Sequence, residues 1–227
     1  MTDFIDTLEA EFKANANPII ASQQKAYMKG KFDYFGLKSP LRRTIQQPFL
    51  AKQYLPSKTE LTSLVKVLWA KPQREFQYVA QELCLKYSKQ FDKEDIVLFE
   101  YMITHKSWWD TVDYMAANLV GSYFIKYPEL RRSFVEKWIN SNDMWLQRTA
   151  IIFQLKYKNE VDTELLSVAI LSMLGSKEFF INKAIGWALR QYGKFNPTWV
   201  INFCGKTELS NLSRKEALRL IKSETNS

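Results

Sequence analysis

Five alanines recur along this chain at a nearly constant interval. Ala80 lies in EFQYVAQELCLKY, Ala116 in WWDTVDYMAANLVGSYFIKY, Ala150 in MWLQRTAIIFQLKY, Ala184 in FINKAIGWALRQY and Ala217 in RKEALRLI, with separations of 36, 34, 34 and 33 residues. A small side chain at a fixed phase lets neighbouring helices approach closely, and a period of this size marks stacked helical hairpins that bury their apolar faces only against one another. Tyr87, Tyr157 and Tyr192 close several of the units one to two turns after the alanine. The segments ELTSLVKVLWA, KEDIVLFEYMITH, ELRRSFVEKWI and TELLSVAILSML supply each partner helix. With 7 Gly and 7 Pro in 227 residues, there is little material for the turns of an all-β fold or for a glycine-rich phosphate loop.

The joints between helices are readable. Ser39-Pro40 offers a cap followed by proline at the first helical position, Asp162-Thr163-Glu164 opens another helix, and Pro197 sits in the first turn of a third. Pro72, Pro128 and Ser141-Asn142-Asp143 punctuate the remaining joints. Tetratricopeptide repeats share the period, but their ordered Leu-Gly, Tyr, Ala and Pro positions are missing. The expectation is therefore an all-α, right-handed solenoid of HEAT-like repeats with a concave basic face. No polar linker divides the chain, so a single domain over 1–227 is expected.

Charge and composition narrow the chemistry. The net charge is +8, and residues 25–89 hold 13 Lys and Arg against 4 Asp and Glu. Such clustering is the footprint of a polyanion binder or, alternatively, a solvated basic surface. A single histidine, His105, excludes multi-histidine zinc sites and the zinc deaminase signature, and neither a P-loop nor a dinucleotide fingerprint is present. No metal, cofactor or nucleotide is expected. Cys84 and Cys204 sit in apolar helical patterns, the N-terminus lacks the basic start and apolar run of a signal peptide, and no stretch approaches the length of a membrane span. A cytoplasmic protein without membrane association is expected.

On a helix, residues three or four apart share a face. Trp109 and Asp113 form one such pair, Lys183, Trp187 and Arg190 form a stripe, and Arg148 and Lys156 lie two turns apart. Tryptophans in helical repeats are mostly core, and Trp69 and Trp138 fit that role on the apolar stripes of their helices. In Trp108-Trp109 the two indoles cannot share a face, and Trp187 is bracketed by cations, as in nucleic-acid surfaces. Asp113 is either a structural acceptor or a carboxylate that stabilises developing positive charge. Asp110 can serve as a helix N-cap.

The blocks Lys106-Ser107-Trp108-Trp109-Asp110-Thr111-Val112-Asp113, Trp145-Leu146-Gln147-Arg148, Phe153 to Lys158 and Lys177 to Trp187 resemble those of the AlkD family of bacterial alkylpurine DNA glycosylases. Tyr27-Met28-Lys29 and Gly36 to Arg43 resemble it as well, so the likeness runs through nearly the whole chain. The resemblance implies a HEAT-like solenoid whose concave, basic face clamps duplex DNA containing alkylated bases; a monomer is expected. By position, Asp113 becomes the catalytic carboxylate, and Trp109 and Trp187 pack against the deoxyribose. Arg148 becomes a DNA-contacting residue and Tyr27 part of an N-terminal recognition helix, and Lys38, Arg43, Lys156, Lys183 and Arg190 are expected to bind DNA beside them. Lys38 departs from the family, where Gln is expected.

The implied reaction is hydrolysis of the N-glycosidic bond of 3-methyladenine or 7-methylguanine without metal. Two other readings stand beside it: a non-catalytic HEAT-like protein that recognises damaged duplex, and a protein-interaction scaffold. Fold alone does not separate them.

Overall fold

The computed structural model describes residues 2–221, and every regular element among them is helical. Pairing outside helices is limited there to one isolated parallel bridge between Asp33 and Gln73. The helices gather into two compact units, one up to residue 91 and one from residue 92.

The first unit contains α1 (Thr2–Ala14), α2 (Pro18–Tyr27), α3 (Ser39–Gln46), α4 (Lys58–Ala70) and α5 (Arg74–Lys86). A capping box starts α4, in which the Ser57 backbone N–H donates to the Glu60 carboxylate at 3.0 Å. Its apolar stripe, Leu61, Leu64, Val65 and Leu68, is buried with Trp69. Helix α5 is buried on both sides of Ala80, and Phe76 meets Phe12 and Phe35 in a three-ring cluster with centroids 5.6–5.8 Å apart. Glu75, fully buried on α5, accepts backbone N–H bonds from Phe35, Gly36 and Leu37 at 3.1–3.2 Å and so pins the segment leading into α3. Gly36 is required there: its φ is +88°, and a Cβ would stand 2.1 Å from the Asn17 carbonyl oxygen.

The second unit contains α6 (Asp95–Thr104), α7 (Trp109–Tyr114), α8 (Gly121–Lys126), α9 (Arg131–Ile139), α10 (Met144–Ile152), α11 (Thr163–Leu171), α12 (Phe179–Gly193), α13 (Pro197–Lys206) and α14 (Asn211–Ala217). An inner row forms as α7 packs on α10, α10 on α12 and α12 on α14, while α9 packs on α11 in an outer row. This is the arrangement of a helical solenoid. Ala116, Ala150, Ala184 and Ala217, the repeat's small residues, are all at most 1% exposed. Trp138 is completely buried and donates its indole N–H to Glu100 at 2.6 Å.

Between α7 and α8 the chain forms a π-helix, Met115–Val120, which nothing in the repeat pattern announces. The following helix is drawn in by Gly121, whose carbonyl accepts from the Tyr157 hydroxyl at 2.8 Å. A Cβ on Gly121 would lie 2.8 Å from the Phe153 carbonyl oxygen. The helix starts agree with the sequence to within a residue. Asp162 caps α11 through the Leu165 N–H at 2.9 Å, Asp143 caps α10, and Asn196 caps the helix that begins at Pro197. The exceptions are at α7. Trp108 occupies the N-cap in an extended conformation, outside the helix, and Asp110 lies within the first turn rather than at the cap.

Candidate active site

Asp113 and Arg148 face each other across the α7–α10 contact of the inner row. The guanidinium donates from Nε to Oδ1 at 2.7 Å and from Nη2 to Oδ2 at 2.8 Å, a bidentate pair, while Nη1 donates to the backbone carbonyl of Phe180 on α12. One arginine thus ties three successive inner helices together. Its side chain is 5% exposed, against 17% for that of Asp113. Trp108, Trp145 and Phe180 form a triangle of rings with centroids 5.1–5.7 Å apart, and the Phe180 ring lies 5.9 Å from the Arg148 guanidinium. Burial raises the Asp113 carboxyl above its ordinary value, the Arg148 hydrogen bonds and charge oppose that rise, and Asp110 adds to it.

The exposed edge of Asp113 opens into a cleft of about 340 Å³ lined by Asp113, Tyr114, Ala117, Asn118, Leu155, Lys156, Trp187 and Gln191. The π-helix supplies Ala117 and Asn118 to its wall. Asn118 donates its side-chain amide to the Tyr114 carbonyl at 2.7 Å and accepts from the Lys156 ammonium. A carboxylate beside an indole face attracts positive charge, and the ammonium at the rim attracts negative charge. The cleft therefore holds, within one small volume, groups suited to a cationic sugar or base attached to an anionic backbone.

Of the residues singled out in the sequence, Asp113, Trp187 and Lys156 line this cleft. Trp109 lies one turn before Asp113 on α7 and is half-buried, outside the cleft lining. Arg148 is an internal strut whose guanidinium is turned onto Asp113 and Phe180, with almost no surface left for a nucleic-acid contact. Lys183 and Arg190, which bracket Trp187 on α12, both reach Glu216 on α14. In the first unit, Tyr27 is 71% exposed at the end of α2, Lys38 is exposed at the N-cap of α3, and Arg43 lies 3.4 Å from Glu82. Among the described residues no three His, Cys, Asp or Glu side chains form a group able to hold a metal ion, and no helix is long and apolar enough to cross a membrane.

Sequence reasoning passed over Asn118, Gln191 and Glu216. It also passed over the ring triangle, whose signal is present: Trp108, Trp145 and Phe180 stand at the starts of α7, α10 and α12, spaced at about the repeat period. Asn118 has no such signal, because its placement depends on the π-helix.

The family model for DNA alkylation repair enzymes matches residues 8–221. Among solved structures, a predicted DNA alkylation repair enzyme from Enterococcus faecalis is similar at 33% identity with a TM-score of 0.84, over 90% of this chain and 95% of that one. No match is found among curated proteins. The match spans both units and every residue of the cleft, and the chain belongs to the family of DNA alkylation repair enzymes.

Proposed function

We propose that this protein is a DNA glycosylase that removes purines carrying a positive charge from N3- or N7-alkylation, 3-methyladenine and 7-methylguanine among them, from duplex DNA. The observation that carries the reading is the Asp113 carboxylate, locked by Arg148 and lining a cleft together with Trp187. Asp113 and Trp187 form the catalytic site of this proposal. Trp109, on the same helix as Asp113, adds a second indole against the sugar once DNA is bound.

Alkylation leaves the base cationic, so breaking the C1′–N bond returns both electrons to the purine, which departs neutral. No general acid is needed for that step, and for the same reason no metal ion or cofactor is needed. Positive charge then resides on the sugar as an oxocarbenium ion. Asp113 stabilises it by charge and the indole faces stabilise it through their quadrupoles. A water that hydrogen-bonds to Asp113 attacks C1′ and passes its proton to bulk solvent, completing hydrolysis.

Arg148 acts as a positioning residue in this scheme. It holds both carboxylate oxygens of Asp113 in place, and its charge opposes the rise that burial imposes on the carboxyl. Lys156, Lys183 and Arg190 meet the backbone phosphates near the lesion, and Tyr27, Lys38 and Arg43 serve the duplex from the first unit. The protein acts on duplex DNA as a monomer, without a nucleotide cofactor.

The test is single-turnover release of 7-methylguanine from duplex DNA by Asp113→Asn, a near-isosteric change that removes the charge and one of the two oxygens that accept from Arg148. Excision falls by about 100-fold or more, the scale of losing one preorganised electrostatic group, while duplex affinity stays close to that of the native chain; the melting temperature falls, because the buried Arg148 guanidinium loses its counter-charge, and rates are compared where the variant is folded. Near-native release by a folded Asp113→Asn overturns the catalytic assignment. It leaves instead a non-catalytic protein that recognises damaged duplex.

A further inference from the structure

The two cations that bracket Trp187 already hold an anion. On α14, Glu216 receives Lys183 Nζ at 3.0 Å on Oε1 and Arg190 Nη1 on Oε2, and Arg219 Nη1 lies 3.8 Å from Oε1. The arrangement depends on a close helix contact. Gly186, between the two cations on α12, has no Cβ, and one placed there would stand 2.5 Å from the Cβ of Glu216 and 2.9 Å from the Ser213 carbonyl oxygen. Any larger residue would push α14, and Glu216 with it, away from the stripe. The Lys183 side chain is 36% exposed and keeps an open route to solvent, while Arg190 at 17% and Glu216 at 15% are reached only along the edge of the pair. The contact with Lys183 and the surrounding positive charge hold the Glu216 carboxyl below its ordinary value, so it is ionised at neutral pH.

Two anionic oxygens, each turned to a different cation, present what the two non-bridging oxygens of a phosphodiester present. Three cations around one carboxylate leave local positive charge in excess. The position is therefore an anion site filled from within the chain, one turn either side of an indole that lines the cleft.

We propose that Glu216 is an internal stand-in for a DNA phosphate. Without DNA it occupies the anion site of Lys183 and Arg190, and a backbone phosphate that arrives beside Trp187 takes those cations by exchange. This rests on the duplex-DNA reading above and adds to it a residue that restrains affinity. An exchange releases fewer condensed counterions than binding to two unpaired cations, because part of the charge was already neutralised. Affinity for undamaged duplex is lowered, and the cations remain available where the backbone is brought against Trp187.

The experiment is fluorescence anisotropy with an unmodified DNA duplex over roughly 50–200 mM NaCl, using the full chain and its Glu216→Gln variant. Freeing one or two cations steepens the slope of log affinity against log salt by about 0.9 to 1.8 and tightens binding by about tenfold at the low-salt end. Lys183→Gln lowers the slope more in the Glu216→Gln background than in the native one. Glu216→Asp keeps the charge but retracts it from Arg190, so it gives an intermediate slope and serves if Glu216→Gln melts early. An unchanged slope in both Glu216 variants, with a native chain that binds duplex, overturns the stand-in. A native chain with no salt-dependent duplex affinity overturns the DNA-binding reading instead.

Discussion

Replacing Arg148 by Gln tests how the site keeps its carboxylate ready. The arginine is 5% exposed and gives Asp113 two charged hydrogen bonds at 2.7 and 2.8 Å, while burial alone pushes the Asp113 carboxyl upward. An adjacent opposite charge typically depresses a carboxylate by about 1–3 units, equivalent to roughly 1.4–4 kcal/mol. Removing it leaves the desolvation unopposed, so Asp113 binds its proton more tightly still. If ionised Asp113 is the working form, excision is lost as pH falls through its pKa, and that acid limb moves up by about 1–3 units in Arg148→Gln. Breaking a buried pair also costs about 3–5 kcal/mol of stability, so melting curves must accompany the rates. Arg148→Lys is the control, because it keeps the charge and leaves the limb near its native position while losing the bidentate geometry. The assay is single-turnover release of 7-methylguanine from about pH 5 to 8.5, since a general or electrostatic group of this kind reports its ionisation in such a profile. A uniform fall at every pH, with the limb unmoved, refutes the argument. The salt dependence of duplex binding gives an independent check: it stays unchanged in Arg148→Gln, whereas loss of a phosphate contact lowers the slope by about 0.9.

Trp187→Ala removes the indole from the cleft wall and both slows excision and weakens duplex binding by about 1–3 kcal/mol, read from anisotropy and single-turnover rates. Excision of 7-methylguanine is unchanged by EDTA, and a chelator-sensitive rate would refute departure of the neutral base without Lewis-acid help. Glu75→Ala orphans three buried backbone N–H groups and costs about 3 kcal/mol or more in denaturant unfolding, whereas Glu75→Gln keeps an acceptor oxygen and costs less. Because burial raises the Glu75 carboxyl, the folded chain holds that proton more tightly than the unfolded one; its contribution to stability is present in acid and is lost as pH rises through the folded value. Glu75→Gln therefore flattens the pH dependence of stability above the ordinary carboxylate range. Gly121→Val forces α8 away from the Phe153 carbonyl and lowers the melting temperature by several degrees.

Much of this protein is set by local pattern. The alanine period fixes which helices share a phase, and Ala116, Ala150, Ala184 and Ala217 are buried in the second unit as that period requires. The apolar spacing around Trp69 and Trp138 places both in the core, and Asp162 and Pro197 mark real helix starts. These features are legible because helix formation, capping and the burial of one stripe depend on residues a few positions apart. The i, i+4 relation of Trp109 to Asp113 is legible for the same reason. The resemblance to the AlkD family singles out Asp113 from the local block KSWWDTVD alone.

What those surroundings are was decided by tertiary structure. Arg148 reads in sequence as one more exposed base on a basic chain, yet its guanidinium is spent on an acid 35 residues earlier and on the first turn of the next inner helix. Lys183 and Arg190 read as a cationic stripe until α14 brings Glu216 between them across the gap at Gly186. The π-helix that carries Asn118 into the cleft has no periodic signature, since a single shift in hydrogen-bond register leaves the surrounding residue types unchanged. A repeat period determines that neighbouring helices pack, but the charge balance at their contact depends on the rotation and closeness of each pair. Those are set by how whole side chains interlock across repeats, a relation between residues that are distant in the chain and adjacent only once it has folded.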